Sequence, residues 1–321
     1  VEGYRAEALA KQAARESLGR YEGLYWDENS ETAYYVVRLD GERLMMERPG
    51  RLLAEATPTS DEGKFRVAGL IGLDFEAGDP APAMTMSAGL NSERQQRHQP
   101  DATLPTAEAI ATQVRNAHRI EQIGASRVVK LTGSVKMGPL GLKSKITQWF
   151  DEKRLRTEIR GWTANATVVI NGSQVAISQG RGKFQLQSGA VREQELLGHP
   201  FLLYGGWDRV FPEIDVLKQI ETTEENLILV RATPSELPGL TILVDAESGR
   251  IVAEHSLQFM PGAGFIGLES RYSDFREVSG AILPFRIESK FSNPMIGSVV
   301  IQYDEFETEV DPGELFDIPS E

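Results

Sequence analysis

Polar and apolar residues alternate in short runs over most of this chain, a pattern typical of antiparallel β-strands whose two faces differ. In the first hundred residues six such runs follow one another, with tight turns at Asp40-Gly41 and Pro49-Gly50. Too few residues separate them for βαβ crossovers, so they predict a small antiparallel barrel or curled sheet. The predicted strands cover residues 33–39, 44–47, 52–57, 64–67, 70–76 and 84–88.

Helical spacing of apolar residues marks both ends of this first region. Residues 4–18 have it loosely, before Gly19, and residues 105–124 have it after a capping hydroxyl at Thr106. Between the barrel strands and the second helix, residues 91–101 contain no apolar side chain, which indicates a linker. We therefore predict two domains: residues 1–98, a small antiparallel β domain with an N-terminal helix, and residues 99–321.

Strands dominate the second domain as well. Five are predicted over residues 127–137, 143–150, 154–162, 166–170 and 174–179, and six more over 226–232, 240–245, 250–259, 266–278, 284–290 and 298–306. Between the two sets the pattern changes, and residues 191–197 and 216–220 are predicted to be helical. A sheet this long with one apolar face must curl around its helices, so the fold class is mainly β.

The helical insertion carries a dense aromatic and aliphatic cluster. It can be ordinary core that plugs the open side of the sheet, or a lid over an apolar cavity for a lipid or acyl chain. Arg154 and Arg156 alternate with Leu155 and are therefore expected on the face away from such a cavity. The candidate ligand-binding residues on the strands and the insertion are Trp149, Leu155, Ile159, Trp162, Phe201, Leu203, Tyr204, Trp207 and Phe211.

Charge is uneven along the chain. The total is 34 basic and 47 acidic residues, net −13, which disfavours nucleic acid as a partner. Residues 126–186 nevertheless hold eleven basic and three acidic side chains, net +8, which indicates either a solvated strand face or a surface for an anionic ligand. No apolar run is long enough for a transmembrane helix.

Signatures of catalysis, metal binding and cofactor binding are missing from the sequence. There is no cysteine, and the four histidines are dispersed without the spacing of a zinc site. Neither a nucleophile elbow nor a phosphate-binding glycine loop is present. We predict no catalytic residues, no metal and no cofactor, and a protein that is not an enzyme.

Residues 102–319 resemble the outer-membrane lipoprotein carrier superfamily (LolA/LolB-like). The resemblance lies in the helix at 104–124 and in Gln148-Trp-Phe-Asp-Glu-Lys-Arg-Leu-Arg, Val168-Val-Ile-Asn-Gly-Ser-Gln-Val, Leu243-Val-Asp-Ala-Glu-Ser-Gly-Arg-Ile-Val and Tyr272-Ser-Asp-Phe-Arg-Glu-Val-Ser-Gly-Ala-Ile-Leu-Pro-Phe-Arg-Ile. It implies an incompletely closed β-barrel with a helical lid that shelters acyl chains, and Arg154 as the polar residue that holds the lid. The chain departs from the carriers at Val175 and Ile177, where aromatic residues are expected.

Residues 15–98 resemble the small β domain that often follows penicillin-binding-type serine hydrolase domains. The matching stretches are Leu18-Gly-Arg-Tyr-Glu-Gly-Leu-Tyr, Leu39-Asp-Gly-Glu-Arg-Leu and Leu73-Asp-Phe-Glu. This resemblance implies a non-catalytic accessory module.

Two functions follow as hypotheses. The first is a non-catalytic protein of the periplasm or cell envelope, its signal or upstream region removed, that binds a lipid, an acyl chain or a lipidated protein in the half-barrel. The alternative is the accessory C-terminal region of a larger hydrolase, a serine hydrolase or peptidase, that docks a partner or substrate for an upstream catalytic domain. An independent enzyme is a third hypothesis.

Overall fold

The chain forms two compact units, Val1–Asp101 and Ala102–Glu321. The computed structural model describes residues 16–27, 30, 32–124, 127–138, 140–161, 165–180, 182–223, 225–308 and 310–318. The helix predicted over 4–18 is described only from residue 16, where the backbone is helical, and Trp162 lies outside the described residues. The fold class is mainly β, as predicted.

The first unit is a closed antiparallel barrel in which each strand pairs with the next and the last pairs with the first. Closure leaves no sheet edge. Its strands are β1 Gly23–Asp27, β2 Tyr34–Asp40, β3 Arg43–Arg48, β4 Leu52–Pro58, β5 Lys64–Val67, β6 Ile71–Phe75, β7 Ala83–Ala88 and β8 Asn91–Arg97.

The prediction of a linker over residues 91–101 is wrong for most of that range. Residues 91–97 are β8, which pairs with β7 and also with β1, so this strand closes the barrel. Only Gln95 on this strand is buried, and the strand therefore carries none of the apolar alternation by which strands are found in a sequence.

The second unit contains one curled antiparallel sheet of thirteen strands. The strands are β9 Val129–Met137, β10 Leu142–Phe150, β11 Arg154–Arg160, β12 Asn165–Asn171, β13 Gln174–Gln179, β14 Gln185–Leu186, β15 Glu213–Glu221, β16 Asn226–Thr233, β17 Leu240–Asp245, β18 Ile251–Met260, β19 Gly264–Val278, β20 Ala281–Phe291 and β21 Ser298–Thr308. The strand order is 14-13-12-11-10-9-21-20-19-18-17-16-15. The last strand in the chain, β21, thus joins the two sets by pairing with β9.

Within the described residues of the second unit, four α-helices and one 3-10 helix accompany this sheet. They are α1 Ala107–His118, the 3-10 helix Ile120–Ile123, α2 Gly189–Leu197, α3 Pro200–Leu203 and α4 Trp207–Val210. The helix α1 begins as predicted, because the Thr106 hydroxyl accepts a hydrogen bond from the Ala109 amide. Its buried face, Ile110, Val114 and His118, has helical spacing.

The prediction of a helix over residues 216–220 is wrong. These residues belong to β15, which pairs with β16 from Glu213 to Glu221 except at Leu217. The register shifts between Val216 and Lys218, and this bulge breaks the alternation. With Val216, Leu217 and Ile220 apolar, the sequence there has the spacing of one helix face, which explains the misreading.

Candidate ligand-binding cavity

A cavity of about 490 Å³ lies in the second unit between the concave side of the sheet and the helical segment 189–211, which we call the lid. Its volume falls within the roughly 300–1,000 Å³ of small-molecule sites in proteins. Its apolar wall is drawn from strands β9–β12 and β19–β21 and from the lid: Leu131, Ile146, Leu155, Ile159, Val168, Leu268, Leu283, Ile287 and Ile301 on the strands, with Leu197, Pro200 and Leu203 on the lid.

Strand register explains why these side chains share one wall. Ile146 lies opposite Ile159, and Thr157 lies opposite both Gln148 and Val168, across the β10–β11 and β11–β12 pairs. Residues paired across strands project to the same face of the sheet. The cavity-lining residues of these strands therefore project from the same face of the sheet.

Four of the sequence-predicted site residues line the cavity: Leu155, Ile159, Leu203 and Tyr204. Tyr204 stacks on His118, with ring centroids 4.2 Å apart, and burial raises its hydroxyl pKa far above the ordinary value. The strand pair β10–β11 and the lid lie about 50 residues apart in the sequence, and in the fold they meet at one site.

Three other predicted residues, Phe201, Trp207 and Phe211, belong to the lid and are buried in the hydrophobic core of the second unit. Phe201 packs edge-to-face on Phe150, with centroids 6.5 Å apart, and Trp207 packs on Phe211 at 6.0 Å. The Trp207 indole donates to the Leu203 carbonyl at 2.6 Å. The insertion therefore contributes both to the hydrophobic core and to the cavity wall.

Trp149 and Arg154 are on the opposite face of the sheet from the cavity wall. Trp149 pairs with Arg156 and Lys130, between the cavity-lining Gln148 and the buried Phe150. The Arg154 guanidinium binds the Asp151 carboxylate at 2.6 Å and covers the Phe316 ring at 4.6 Å. Its contact with the lid is made by its carbonyl oxygen, which faces His199 Nε2 at 3.2 Å.

Two buried histidines connect helices to the sheet by hydrogen bonds, a role that no sequence motif indicates. His199 donates from Nε2 to the Arg154 carbonyl and accepts the Phe201 amide at Nδ1, 3.2 Å away. His118 donates from Nδ1 to the Ile282 carbonyl at 2.9 Å and accepts the Ile251 amide at Nε2. Since one nitrogen accepts in each ring, both rings are neutral, and burial lowers the pKa of each to about 4.

Polar side chains in the cavity form hydrogen-bonded groups on its wall. The Gln148 amide donates to the Thr157 hydroxyl at 3.2 Å, and the Ser270 and Ser289 hydroxyls are 2.8 Å apart. The Tyr272 hydroxyl donates to the Glu254 carboxylate at 3.2 Å. Such pairs leave few polar groups without a partner in an otherwise apolar space.

A second space of about 480 Å³, which we call the groove, adjoins the cavity. Gln194 and Glu195 of α2 and Gln258 of β18 line both. The Gln194 side-chain oxygen accepts the Phe259 amide at 2.8 Å, so α2 is bonded to β18 at the boundary between the two spaces.

Neither metal sites nor membrane-spanning helices are found in the part of the chain that the structure describes. No group of three or more His, Cys, Asp or Glu side chains there is placed to hold a metal ion. No helix there is both long and apolar enough to cross a membrane.

No family model matches the chain, and no curated protein matches it in sequence. Solved structures similar to part of this chain include a LolA superfamily protein from Nitrosomonas europaea, at 12% identity over 66% of this chain and 98% of that one, with a TM-score of 0.48. A DUF1329 family protein from Desulfovibrio piger has 11% identity over 65% and 97%, with a TM-score of 0.46. An outer membrane lipoprotein-sorting protein domain from Vibrio parahaemolyticus has 8% identity over 65% and 94%, with a TM-score of 0.44. These values are too low to assign a function by likeness.

Proposed function

We propose that the second unit is a non-catalytic binding protein that takes up a lipid, or the acyl chain of a lipidated partner, in the cavity between sheet and lid. The observation that carries this proposal is the cavity itself, about 490 Å³ with a mostly aliphatic wall. Removing an acyl chain from water stabilises the complex by about 25 cal/mol per Å² of apolar surface buried. A cell-envelope location is part of the same proposal.

The shape of the site favours an elongated apolar ligand over a compact polar one. Its wall is drawn from strands as far apart in the sheet as β12 and β17, and several of its polar side chains occur as hydrogen-bonded pairs among aliphatic ones. The groove beyond Gln194 offers further room for a ligand that exceeds the cavity.

The test uses N-phenyl-1-naphthylamine, an uncharged fluorescent probe of apolar sites, with dodecanol as the competitor. We expect saturable fluorescence that dodecanol displaces. Val168→Trp places an indole in the cavity and should weaken probe binding about tenfold or more. Its control is Thr167→Trp, on the same strand but on the other face of the sheet, which should bind as the natural protein does.

Native mass spectrometry of gently purified protein provides a second readout, in which we expect a co-purified lipid. Absence of probe binding together with absence of any bound lipid would overturn the proposal. Equal loss of binding in the two tryptophan variants would show that the probe binds somewhere other than the cavity.

A further inference from the structure

The cavity contains carboxyl groups and no basic side chain among its described lining residues. Glu254 on β18 and Glu195 on α2 lie on different walls, one on the sheet and one on the lid. An acyl-binding site for a fatty acid would be expected to offer a cation to the ligand's carboxylate. This site offers the opposite charge.

Glu254 is held in place by its neighbours. The Tyr272 hydroxyl donates to it at 3.2 Å, and the Ser256 hydroxyl also hydrogen-bonds to it. Ser270 lies opposite it on β19. Burial is the main cause that raises the pKa of Glu254, and the hydrogen bonds from Ser256 and Tyr272 oppose that rise.

The Glu195 carboxyl group has no hydrogen bond or ion pair to any residue that the structure describes. It is half-buried on the side of α2 that lines both the cavity and the groove. Burial alone raises its pKa to about 7. An unpaired carboxylate in an apolar site is costly, and a positively charged ligand removes that cost by ion pairing.

We propose, on the basis of the function proposed above, that the cavity selects amphiphiles with a positively charged amine head group, which Glu254 and Glu195 bind while the alkyl chain lies against the aliphatic wall. A carboxylate head group would place like charges together in a site of low polarity, which costs binding energy. The ligand class is therefore a long-chain amine or an amine-bearing lipid.

Three probes of equal chain length separate the effect of head-group charge on affinity from that of the alkyl chain. They are dodecylamine, dodecanol and dodecanoate, each below its micelle concentration at pH 8. Calorimetry of the full chain should show dodecylamine binding about tenfold or more tighter than dodecanoate, with dodecanol between them. Glu254→Gln, Glu195→Gln and the double variant should reduce this preference, the double variant to within about threefold.

The control variant is Glu269→Gln, which removes a carboxylate from the opposite face of β19, next to the cavity-lining Ser270. It should keep the full amine preference. If all three probes bind equally, or dodecanoate binds best, this inference is wrong while the proposed function stands. If none binds, the proposed function fails as well. An amine preference that survives in the double variant would overturn the assignment to these two carboxyl groups.

Discussion

In the first unit the sheet closes on itself. In the second unit the thirteen-stranded sheet curls, but its two edge strands, β14 and β15, do not pair with each other. The closed barrel is filled by aromatic side chains: Phe75 lies 4.7 Å from Tyr21, 5.6 Å from Tyr25 and 5.6 Å from Phe65, between ring centroids. In the open sheet the filling comes from helices, which leave a cavity. An eight-stranded barrel is just wide enough for its own side chains, while a longer open sheet needs a separate plug.

The largest expected effect is a difference in the free energy of unfolding between a substitution in the filled barrel and one in the cavity wall. Phe75→Ala should lower the free energy of unfolding of the first unit by about 3–5 kcal/mol, because close-packed neighbours cannot collapse into the space. Ile159→Ala should cost the second unit at most about 2 kcal/mol, since that side chain already borders empty space. Urea denaturation of each variant measures both values, and equal losses would contradict the contrast drawn here.

The next effect concerns pH and the attachment of helices to the open sheet. The folded pKa of His118 and of His199 lies below the unfolded value, so unfolding takes up protons between pH 6.5 and about 4. The stability that each neutral ring contributes is present above this range and lost as the pH falls, by about 3 kcal/mol for each ring.

Comparison with variants isolates this contribution from the carboxyl groups, which titrate in the same region. His199→Gln should be less stable than the natural protein at pH 7, and the difference should shrink by about 3 kcal/mol at pH 4. Denaturation curves followed by tryptophan fluorescence in a Trp26→Phe background report on the second unit. A difference that is independent of pH would show that the ring does not titrate on unfolding.

The smallest effect concerns the outer face of the open sheet. The Arg154 guanidinium is one-third exposed, and its bond to Asp151 is supplemented by two backbone amides, of Lys153 and Arg154, that also bind this carboxylate. Arg154→Gln should therefore cost about 1 kcal/mol or less. Dodecanol affinity should stay within about twofold of the natural value, and a larger loss would show that Arg154 contributes to ligand binding.

Most strands of both units were predictable because their two faces differ in polarity. Four strands were not predicted, β1, β8, β14 and β15, and in two of them that difference is absent or shifted. In β8 only Gln95 is buried, so the sequence resembles a linker, and in β15 a bulge shifts the alternation so that it resembles a helix. In each case pairing with neighbouring strands decides the structure, and pairing partners cannot be read from a local pattern.

The cavity was predictable only in part, for a related reason. Alternation placed Leu155 and Ile159 on an inward face and Arg154 on the other, but an inward-facing aliphatic residue has the same sequence signature whether it meets a neighbour or a void. Glu254 and Tyr272 were not anticipated, because they are isolated polar residues in long strands, and Glu195 lies in a helix rich in polar residues. Their shared location depends on strand order in the folded sheet.

An unclosed sheet also has two free edges, at β14 and β15, and free edges invite pairing with other chains. Here β14 is only two residues long. On β15 a bulge interrupts the ladder, and the acidic residues Glu213 and Asp215 are held beside it by Arg231. The opening that gives the second unit its cavity is thus accompanied by two features that protect it from edge-to-edge aggregation.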